Sequence, residues 1–366
     1  MDIRESEIKK YLEKRYNKKI SNLKIEKLGS GVLGTGYLLE FETEKEKQRL
    51  ILKTLFTENL GMDHYSDRAA SLIKAHDNYN KMRDHVKSID VLAYNKDNTL
   101  TSLGNSQEFY ILMEEANGRD LFKDFNQIKE TKILNEETKN KIIKTSNFLV
   151  ELHKNKHQSI SLYRRKIRDT LGSGGSLIGL LDMHPNNAFN QFEKKWIEIV
   201  KRAINYWGWS RNLHYRLCEI HGDYHPGNLW FENDKLTILD RARGRFGEPA
   251  DDITAFTINP IMYSLIATKE SRFKGPFKKV FDIFWNNYFK QTKDREMRKI
   301  IAPYLAFRIA VVTNPIFYND DFFGGKEQAF LIRTKLINLT LNVLNDSEFK
   351  PEKINFYLEN SNIEKK

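Results

Sequence analysis

The chain has 366 residues, of which 40% are hydrophobic, 12% aromatic and 30% charged. This composition is typical of a globular protein and excludes an intrinsically disordered chain. The 60 basic and 49 acidic residues give a formal net charge of +11. A basic surface attracts anions such as nucleotides, phosphorylated metabolites and nucleic acid, although scattered lysines also simply keep a protein soluble. The length predicts two or three domains or lobes.

Cysteine content and hydropathy indicate the compartment. Cys218 is the single cysteine, so no disulfide can form within the chain, which fits a reducing environment. We expect Cys218 to be a buried structural thiol. The N-terminus is too charged for a signal peptide, and no apolar run is long enough to span a bilayer. We therefore predict a cytoplasmic protein that does not bind a membrane.

The first 115 residues show the alternating hydrophobicity of strands, interrupted by one helical pattern. Strands are predicted near residues 21–28, 37–43, 49–56, 89–95 and 108–116, and a helix over residues 66–86 with Ser66 as its N-cap. Antiparallel hairpins with an inserted helix predict a small α+β lobe over residues 1–115.

Residues 116–366 predict a mainly helical lobe with one short strand pair around residues 215–240. Helical patterns cover residues 135–157, 189–207, 275–291, 299–312 and 326–344. The aromatic stripe from Phe273 to Phe289 fits a buried core or partner interface, or alternatively a membrane-surface helix. The basic stretch YRRKIRD, before GSGG, fits either an anionic substrate site or a solvated helix face.

Two N-terminal features have more than one interpretation. The turn GSGVLGTG contains Gly29, Gly31, Gly34 and Gly36, and such glycines let a backbone approach a phosphate. A plain flexible hairpin explains them equally well, and the strand that follows disfavours a Rossmann motif, which should open a helix. Lys53, on the next strand, is either a lysine reaching solvent from an edge strand or a buried cation with a partner.

The stretch HGDYHPGNLW, residues 221–230, raises the question of a metal site, a turn or a catalytic loop. Gly222 and Pro226 disfavour a continuous helix between the two histidines, and ligating cysteines other than Cys218 are lacking, so zinc is disfavoured. A turn explains the glycine and proline but not Asp223 and Asn228.

The spacing of three oxygen-bearing side chains is more informative. Asn228 follows Asp223 by five residues, and Asp240 follows Asn228 by twelve, at the end of the strand KLTILD. Two loops flanked by strands can bring these side chains together. Asn and Asp suit Mg²⁺ shared with phosphates, and Asp223 can orient or deprotonate a hydroxyl.

With LTILD and GEPADDITAF downstream, HGDYHPGNLW resembles the aminoglycoside phosphotransferase and choline kinase family, relatives of protein kinases. The family's HGDxxxxN loop matches at all four fixed positions, and Asp252 matches its structural aspartate. LVELH and YILMEEANGRDL resemble further segments, so the resemblance covers roughly residues 20–260. It implies an α+β, bilobal, protein-kinase-like fold with a small antiparallel-sheet N-lobe and a mainly helical C-lobe.

The resemblance also implies site roles with ATP and Mg²⁺ as cofactors. In the N-lobe, GSGVLGTG covers the nucleotide and Lys53 pairs with its α- and β-phosphates. Met113 borders the adenine, and the backbone carbonyl of Glu114 and the N–H of Ala116 read its edge. We expect ATP to lie in the cleft between the lobes.

In the C-lobe, the resemblance implies that Asp223 is the base or the hydroxyl-positioning group. Asn228 and Asp240 hold Mg²⁺, and His221 orders the loop. Catalysis then consists mainly of positioning and electrostatics, as is usual for phosphoryl transfer.

The chain departs from the family pattern in two places. Relatives place a glutamate on the first helix as the partner of the strand lysine, whereas this helix offers Asp67 and Asp77, of which we favour Asp77. Relatives also follow the metal aspartate with aromatic or acidic residues. Here Arg241, Arg243 and Arg245 follow, either to meet a phosphate or anionic substrate, or as surface charge or a salt bridge to Asp251.

These features predict a phosphotransferase that moves the γ-phosphoryl group of ATP to a hydroxyl of a small molecule. The C-terminal helices show no dominant acidic run, so a sugar, amino alcohol or nucleoside-like acceptor is favoured over a polycationic antibiotic. One alternative is a protein or macromolecule kinase, although an APE-like end of an activation segment is lacking. The other is a non-enzymatic nucleotide- or nucleic-acid-binding protein. The complete Asp223, Asn228 and Asp240 set argues against it, and we expect no nucleic-acid partner.

Overall fold

The computed structural model describes residues 4–31, 33–44, 46–57, 61–268 and 270–359. The chain divides into two compact units, residues 1–113 and 114–366. The functional division expected between residues 115 and 116 stays a prediction. Within the described residues, every helix is too short or too polar to cross a membrane.

The N-terminal unit is built from an antiparallel sheet, two helices and a separate hairpin. Its elements are α1 (Glu5–Tyr16), β1 (Ser21–Ser30), β2 (Gly34–Glu42), β3 (Lys47–Leu55), α2 (Tyr65–Lys81), β4 (Leu92–Tyr94) and β5 (Leu100–Ser102).

The sheet has the order β1-β2-β3, with all neighbours antiparallel. One of its faces forms the core of the unit, where Ile8 and Leu12 of α1 pack with Leu39 and Phe41 of β2. Burial of such apolar side chains is the main source of stability in a unit of this size. Lys53 pairs with Gly36 in the sheet register and its side chain is exposed.

The five-stranded sheet predicted from the sequence is wrong. The described strands form a three-stranded sheet and the separate β4–β5 hairpin, and residues 106–117 have no regular secondary structure. A strand needs a partner for its backbone groups. Residues 100–102 pair with β4 across a short local turn, whereas residues 108–116 form no strand pairing among the described residues.

The predicted start of the first long helix is also wrong. The N-cap of α2 is His64, not Ser66, and the Asp67 carboxylate accepts the His64 N–H at 2.8 Å in a capping box. The helix ends at Lys81, five residues before the predicted end, because Met82 is already extended.

Asp90 joins α1 to the β4–β5 hairpin. One carboxylate oxygen accepts the Tyr11 hydroxyl at 2.6 Å, and the other accepts Ser102 Oγ at 3.0 Å and the backbone N–H groups of Val91 and Gly104 at 2.7 and 2.9 Å. Burial alone would raise the pKa of Asp90, but these hydrogen bonds outweigh it and lower the pKa.

The C-terminal unit is mainly helical, with short strands near the loop that contains HGDYHPGNLW. Its elements are β6 (Arg119–Asp120), α3 (Leu121–Thr131), α4 (Glu136–His153), α5 (Ile160–Gly172), α6 (Leu177–Asp182), α7 (Asn186–Asn190), α8 (Glu193–Ser210), β7 (Cys218–Glu219), β8 (Leu229–Glu232), β9 (Lys235–Ile238), β10 (Phe246–Gly247), α9 (Pro249–Ala267), α10 (Gly275–Thr292), α11 (Met297–Val312), α12 (Lys326–Asn345) and α13 (Ile354–Glu359).

The core of this unit surrounds α9, in which every residue from Pro249 to Leu265 is buried. Helices α3, α10, α11 and α12 pack against it. A helix that is apolar nearly all round is expected at the centre of a domain. The aromatic stripe of α10 belongs to the same core, with Phe277, Phe284 and Tyr288 at most 1% exposed, so the core interpretation is confirmed.

Two small sheets flank the loop that contains HGDYHPGNLW. Strands β6, β8 and β9 form one in the order β6-β8-β9, and β7 pairs with β10 to form the other. The predicted strand pair around residues 215–240 is therefore present as β8 and β9. These sheets fix the two ends of the loop, residues 220–228, and the turn after β9.

We expect Asp90→Ala to destabilise the N-terminal unit by about 1–3 kcal/mol at pH 7, because four donors, three of them in partly buried bonds, lose their acceptor. Tyr11→Phe, which removes one of the four bonds, is the control and should cost less. Hydrogen exchange of amides in residues 5–16 and 92–102 measures the effect.

The effect of Asp90→Ala should depend on pH. The folded pKa of Asp90 is lower than the unfolded one, so its contribution is full above the unfolded value and is lost as the pH falls through the folded value. The difference between wild type and variant should therefore shrink below about pH 4. An undiminished difference at low pH would contradict this assignment.

Candidate active site

The loop between β7 and β8 is ordered by its own histidines. His221 Nε2 lies 2.7 Å from the Leu239 carbonyl, and its Nδ1 accepts the Asp223 N–H at 3.1 Å. Nδ1 is therefore the acceptor and Nε2 the donor nitrogen of this ring. His225 Nδ1 accepts the Gly227 N–H at 3.1 Å, at the start of the turn Pro226–Asn228. Burial lowers the pKa of His225, so this ring is neutral.

Metal binding by these histidines is not supported by the geometry. Within the described part of the chain, no group of three His, Cys, Asp or Glu side chains is placed to hold a metal ion. Cys218 is buried, and this burial raises the pKa of its thiol, as expected for a structural cysteine.

Asp252, at the start of α9, holds the first half of the loop through hydrogen bonds to its backbone. Its carboxylate accepts the backbone N–H groups of His221 and Gly222 at 2.8 and 2.7 Å, and His153 Nε2 at 3.2 Å. His153 in turn lies 2.8 Å from the Tyr288 hydroxyl. A buried carboxylate with three donors is satisfied, and it fixes the backbone on which Asp223 sits.

Gly222 occupies a position of the loop where the backbone conformation favours glycine. Its φ is +88°, in the left-handed region, and a Cβ there would lie 3.1 Å from Arg243 Cβ. Side chains are strained in this backbone conformation. The glycine therefore permits both the sharp bend before Asp223 and the close approach of the segment after β9.

Asp223 is surrounded by cations. Arg308 Nη1 donates to Asp223 Oδ1 at 2.6 Å, and Arg243 Nε lies 3.5 Å from Asp223 Oδ2. Burial alone would raise the pKa of Asp223, but Arg308 and Arg243 hold it below its ordinary value. Asp223 is thus a carboxylate at neutral pH, and a weak base suited to positioning a hydroxyl.

Arg308, on α11, bridges two carboxylates. Besides Asp223, its Nη2 donates to Asp251 Oδ1 at 2.6 Å and to the Gly222 carbonyl at 2.8 Å. Lys166, on α5, lies 2.8 Å from Asp251 Oδ2. Burial would raise the pKa of Asp251, but Lys166 and Arg308 lower it, and Arg308 itself is only 4% exposed. The result is a buried ionic network beneath the loop.

Asn228 and Asp240 are brought together by the backbone. Asn228 Nδ2 donates to the Asp223 carbonyl at 3.0 Å, and the Leu239 N–H donates to the Asn228 carbonyl at 2.9 Å. Because the amide nitrogen of Asn228 is engaged, its side-chain oxygen is the atom available to a cation. Asp240 is exposed and has a φ of +56°, an uncommon conformation that occurs preferentially at functional sites.

One carboxylate and one amide oxygen suit Mg²⁺, which keeps several waters and adds nucleotide oxygens rather than requiring an all-protein site. Asp240 forms no ion pair with any described residue. The donor set therefore fits a magnesium ion.

In the N-terminal unit, the glycine turn forms the β1–β2 hairpin. Gly34 has a structural explanation, because a Cβ there would lie 2.0 Å from the Thr54 carbonyl of β3. Around Gly29, Gly31 and Gly36, an added Cβ would meet nothing within 4 Å. Those three positions leave the hairpin backbone open to a ligand, and their role with the nucleotide stays a prediction.

The other residues predicted to bind the nucleotide form no contact within their own unit that tests this role. Met113 is 73% exposed, and Glu114 and Ala116 lie in the segment without regular secondary structure. Among the described residues, no ion pair joins Lys53 to Asp77, which is exposed on α2. These assignments, including the choice between Asp67 and Asp77, stay predictions.

The three arginines after Asp240 separate into two kinds. Arg241 Nη1 and Arg245 Nε contact Glu219 Oε1 at 2.9 and 3.1 Å, which fits the salt-bridge alternative, although with Glu219 in place of Asp251. Arg243 instead lies beside Asp223.

The family follows from comparison with known sequences. A sequence model described as the phosphotransferase enzyme family matches residues 24–262. The match covers more than half of the chain and includes the glycine hairpin, Lys53, the HGDYHPGNLW loop and Asp240. The chain therefore belongs to the phosphotransferase enzyme family, and its described residues form an α+β structure with a small antiparallel sheet in the N-terminal unit and a mainly helical C-terminal unit.

Solved structures show distant similarity. The ADP-bound aminoglycoside phosphotransferase APH(2'')-Ib is 17% identical over 91% of this chain and 97% of its own, with a TM-score of 0.27. Spectinomycin phosphotransferase APH(9)-Ia, in complex with ADP and spectinomycin, is 11% identical over 95% of this chain and 99% of its own, with a TM-score of 0.32. A choline kinase from Cryptosporidium parvum Iowa II is 10% identical over 92% of this chain and 86% of its own, with a TM-score of 0.31. No curated protein sequence matches the chain.

Sequence reasoning missed Arg308 and Lys166. Arg308 lies 85 residues after Asp223 and outside the family match, within a helical pattern that otherwise reads as apolar. Its single charge in the run APYLAFRIAVV was the available signal, since a charged residue on a buried helix is expected only with a partner. Lys166 lies in the basic stretch YRRKIRD, which fits both an anionic substrate site and a solvated helix face.

We expect Arg308→Met to destabilise the protein by about 3–5 kcal/mol, because it leaves two buried carboxylates without their shared cation. Adding Asp251→Asn should restore part of this loss, since it removes one of the charges left alone. Urea unfolding measures both. Arg333→Met is the control, because the Asp320 carboxylate that Arg333 contacts at 2.6 Å is 37% exposed. A double variant as unstable as the sum of the two single variants would contradict the network.

Proposed function

We propose that the chain is an ATP- and Mg²⁺-dependent kinase that transfers the γ-phosphoryl group to a hydroxyl of a small molecule. The observation that carries the proposal is the arrangement of Asp223, Asn228 and Asp240. These residues lie on two loops that are joined by hydrogen bonds through Asn228, and the chain belongs to a family of phosphotransferases. The cytoplasmic location and the small-molecule acceptor are parts of this proposal.

The residues would divide the work as follows. Asp223 accepts a hydrogen bond from the acceptor hydroxyl and orients its oxygen toward the γ-phosphorus; Oδ2 is free for this, because 3.5 Å from Arg243 Nε is too long for a hydrogen bond. Asn228 and Asp240 hold Mg²⁺, which when bound neutralises charge on the phosphate oxygens. Arg308 and Asp252 keep the loop in place during the reaction.

In the N-terminal unit, the hairpin glycines would contact the phosphates through their backbone N–H groups. Lys53 would pair with the α- and β-phosphates, and residues 113–116 would border the adenine. The exposed side chain of Lys53 supports this proposal, since its ammonium group is accessible to a ligand.

We expect Asp240→Asn to remove the effect of Mg²⁺ on ATP binding and to lower turnover at least about 100-fold, because a carboxylate that holds the cation is lost. Thermal denaturation with ATP, with and without Mg²⁺, checks the first effect. ATP consumption across a library of hydroxyl metabolites checks the second. Asp234→Asn is the matched control, since Asp234 is an exposed aspartate, 89% by side chain, on the nearby β8–β9 turn. A normal Mg²⁺ effect in Asp240→Asn would exclude it as a ligand.

Asp223→Asn separates chemistry from binding. It should keep the thermal shift with ATP and Mg²⁺ but lower turnover at least about 100-fold, since the amide cannot accept the hydroxyl proton in the same way. Unchanged turnover in Asp223→Asn would contradict the role assigned to Asp223. Transfer to proteins in a mixture, with none to small molecules, would instead favour a macromolecule kinase.

Lys53→Met should weaken ATP binding about 10- to 100-fold, because a charge-assisted contact to phosphate is worth about 1.5–3 kcal/mol. Lys47→Met, on the same strand and also exposed, is the control and should bind ATP normally. Isothermal titration with ATP and Mg²⁺ measures both. Equal affinities of the two variants would contradict the role of Lys53.

A further inference from the structure

Arg243 differs from its two neighbouring arginines in having no acidic partner of its own. Arg241 and Arg245 share Glu219, whereas the carboxylate that Arg243 contacts among the described residues is Asp223, at 3.5 Å. Asp223 is already the partner of Arg308 at 2.6 Å. Arg243 is therefore an extra cation beside the proposed reacting group.

The guanidinium of Arg243 is held in position without being enclosed. Nη1 donates to the Gly175 carbonyl in the GSGG segment, and the group lies 5.1 Å from the centre of the Phe307 ring. A hydrogen bond and a cation–π contact fix its orientation, yet the side chain stays 31% exposed. Such an arrangement leaves guanidinium N–H groups accessible to a ligand and keeps the entropy lost on binding small.

The charges around the loop favour an anion. Two carboxylates, Asp223 and Asp251, contact three cations: Arg308, Lys166 and Arg243. Both of these acids are thus compensated before any acceptor binds, and Arg243 is the cation in excess of this pair. The Asp252 carboxylate is satisfied by backbone N–H groups and His153, and Asp240 is the proposed Mg²⁺ ligand. A cationic acceptor would meet repulsion here, whereas an anionic one would supply the missing charge.

We propose that Arg243 binds an anionic group of the acceptor, so that the acceptor is a compact hydroxyl compound that carries a carboxylate or a phosphate. Resting on the proposed function, this inference names its substrate class. The planar guanidinium matches both anions and can bind them with two hydrogen bonds. With the anion on Arg243 and the hydroxyl on Asp223 Oδ2, the two acceptor groups are separated by a short chain.

The test measures binding of matched probes by thermal denaturation. The probes are D-glycerate, glycerol 3-phosphate, neutral glycerol and cationic serinol, at constant ionic strength. Mg²⁺ and a saturating non-hydrolysable ATP analogue are present, so that the phosphate sites of the nucleotide are filled. We expect the two anions, and not glycerol or serinol, to raise the Tm.

Variants connect the effect to one residue. Arg243→Gln should weaken binding of the two anions at least about tenfold, and Arg243→Lys, which keeps the charge but not the planar fork, should give an intermediate loss. Arg245→Gln is the matched control, two positions away and paired with Glu219, and should bind them as wild type does. Loss in Arg243→Gln with retention in Arg245→Gln supports the inference.

Other outcomes overturn it in distinguishable ways. If wild type shows the shift with nucleotide but none with either anion, or if the shift is the same in Arg243→Gln, the anion site is wrong and the proposed function stands. If Arg243→Gln instead weakens the ATP analogue relative to ADP and leaves the anions unaffected, Arg243 serves the γ-phosphate and not the acceptor. If the nucleotide itself gives no shift, the proposed function fails, and the inference fails with it.

Discussion

The bridge that Arg308 forms between Asp223 and Asp251 is the interaction on which the candidate site depends. One guanidinium, 4% exposed, contacts both carboxylates at 2.6 Å and the Gly222 carbonyl at 2.8 Å. Without such a cation, placing two carboxylates this close in a poorly hydrated region would raise their pKa values and protonate one of them. With it, Asp223 is ionised and held in one orientation.

Asp252 fixes the backbone of the loop, whereas Arg308 fixes the side chain of Asp223. Asp252 accepts the N–H groups of His221 and Gly222, and His153 connects it to Tyr288 of α10. The loop is therefore attached to α4, α9, α10 and α11 through charged or hydrogen-bonded groups. Positioning of this kind is the main contribution that a protein makes to phosphoryl transfer, because the metal and the nucleotide supply much of the charge.

The chemistry-bearing loop was predictable from the sequence, because its spacing is local. Asp223, Asn228 and Asp240 lie within 18 consecutive positions, and strand pairing between β8 and β9 is enough to bring them together. The long helices were predictable too, since their hydrophobic period persists over several turns. The cation that controls Asp223 was not, because its contact depends on how α11 packs on α9, which no local pattern specifies.

The N-terminal unit shows the opposite limit. Residues 108–116 have the apolar composition of a strand, yet they pair with no strand among the described residues, whereas residues 100–102 pair with β4. Strand propensity describes what a segment tolerates, whereas formation of a strand depends on whether a neighbour is available. The helix start was misplaced for a related reason, since Ser66 has the right chemistry for a cap, but the His64–Asp67 pair satisfies the first turn.

The order of the network along the chain has a consequence for biosynthesis. Asp251 precedes Arg308 by 57 residues, so at about 5–20 residues per second a ribosome adds the arginine roughly 3–11 s after the aspartate. During that interval neither Asp223 nor Asp251 has its contact to Arg308, and α9 lacks the helix that covers it. The segment that carries the reaction motif thus reaches its final structure only after α11 has been translated, which makes the C-terminal helices the last step in maturation of the site.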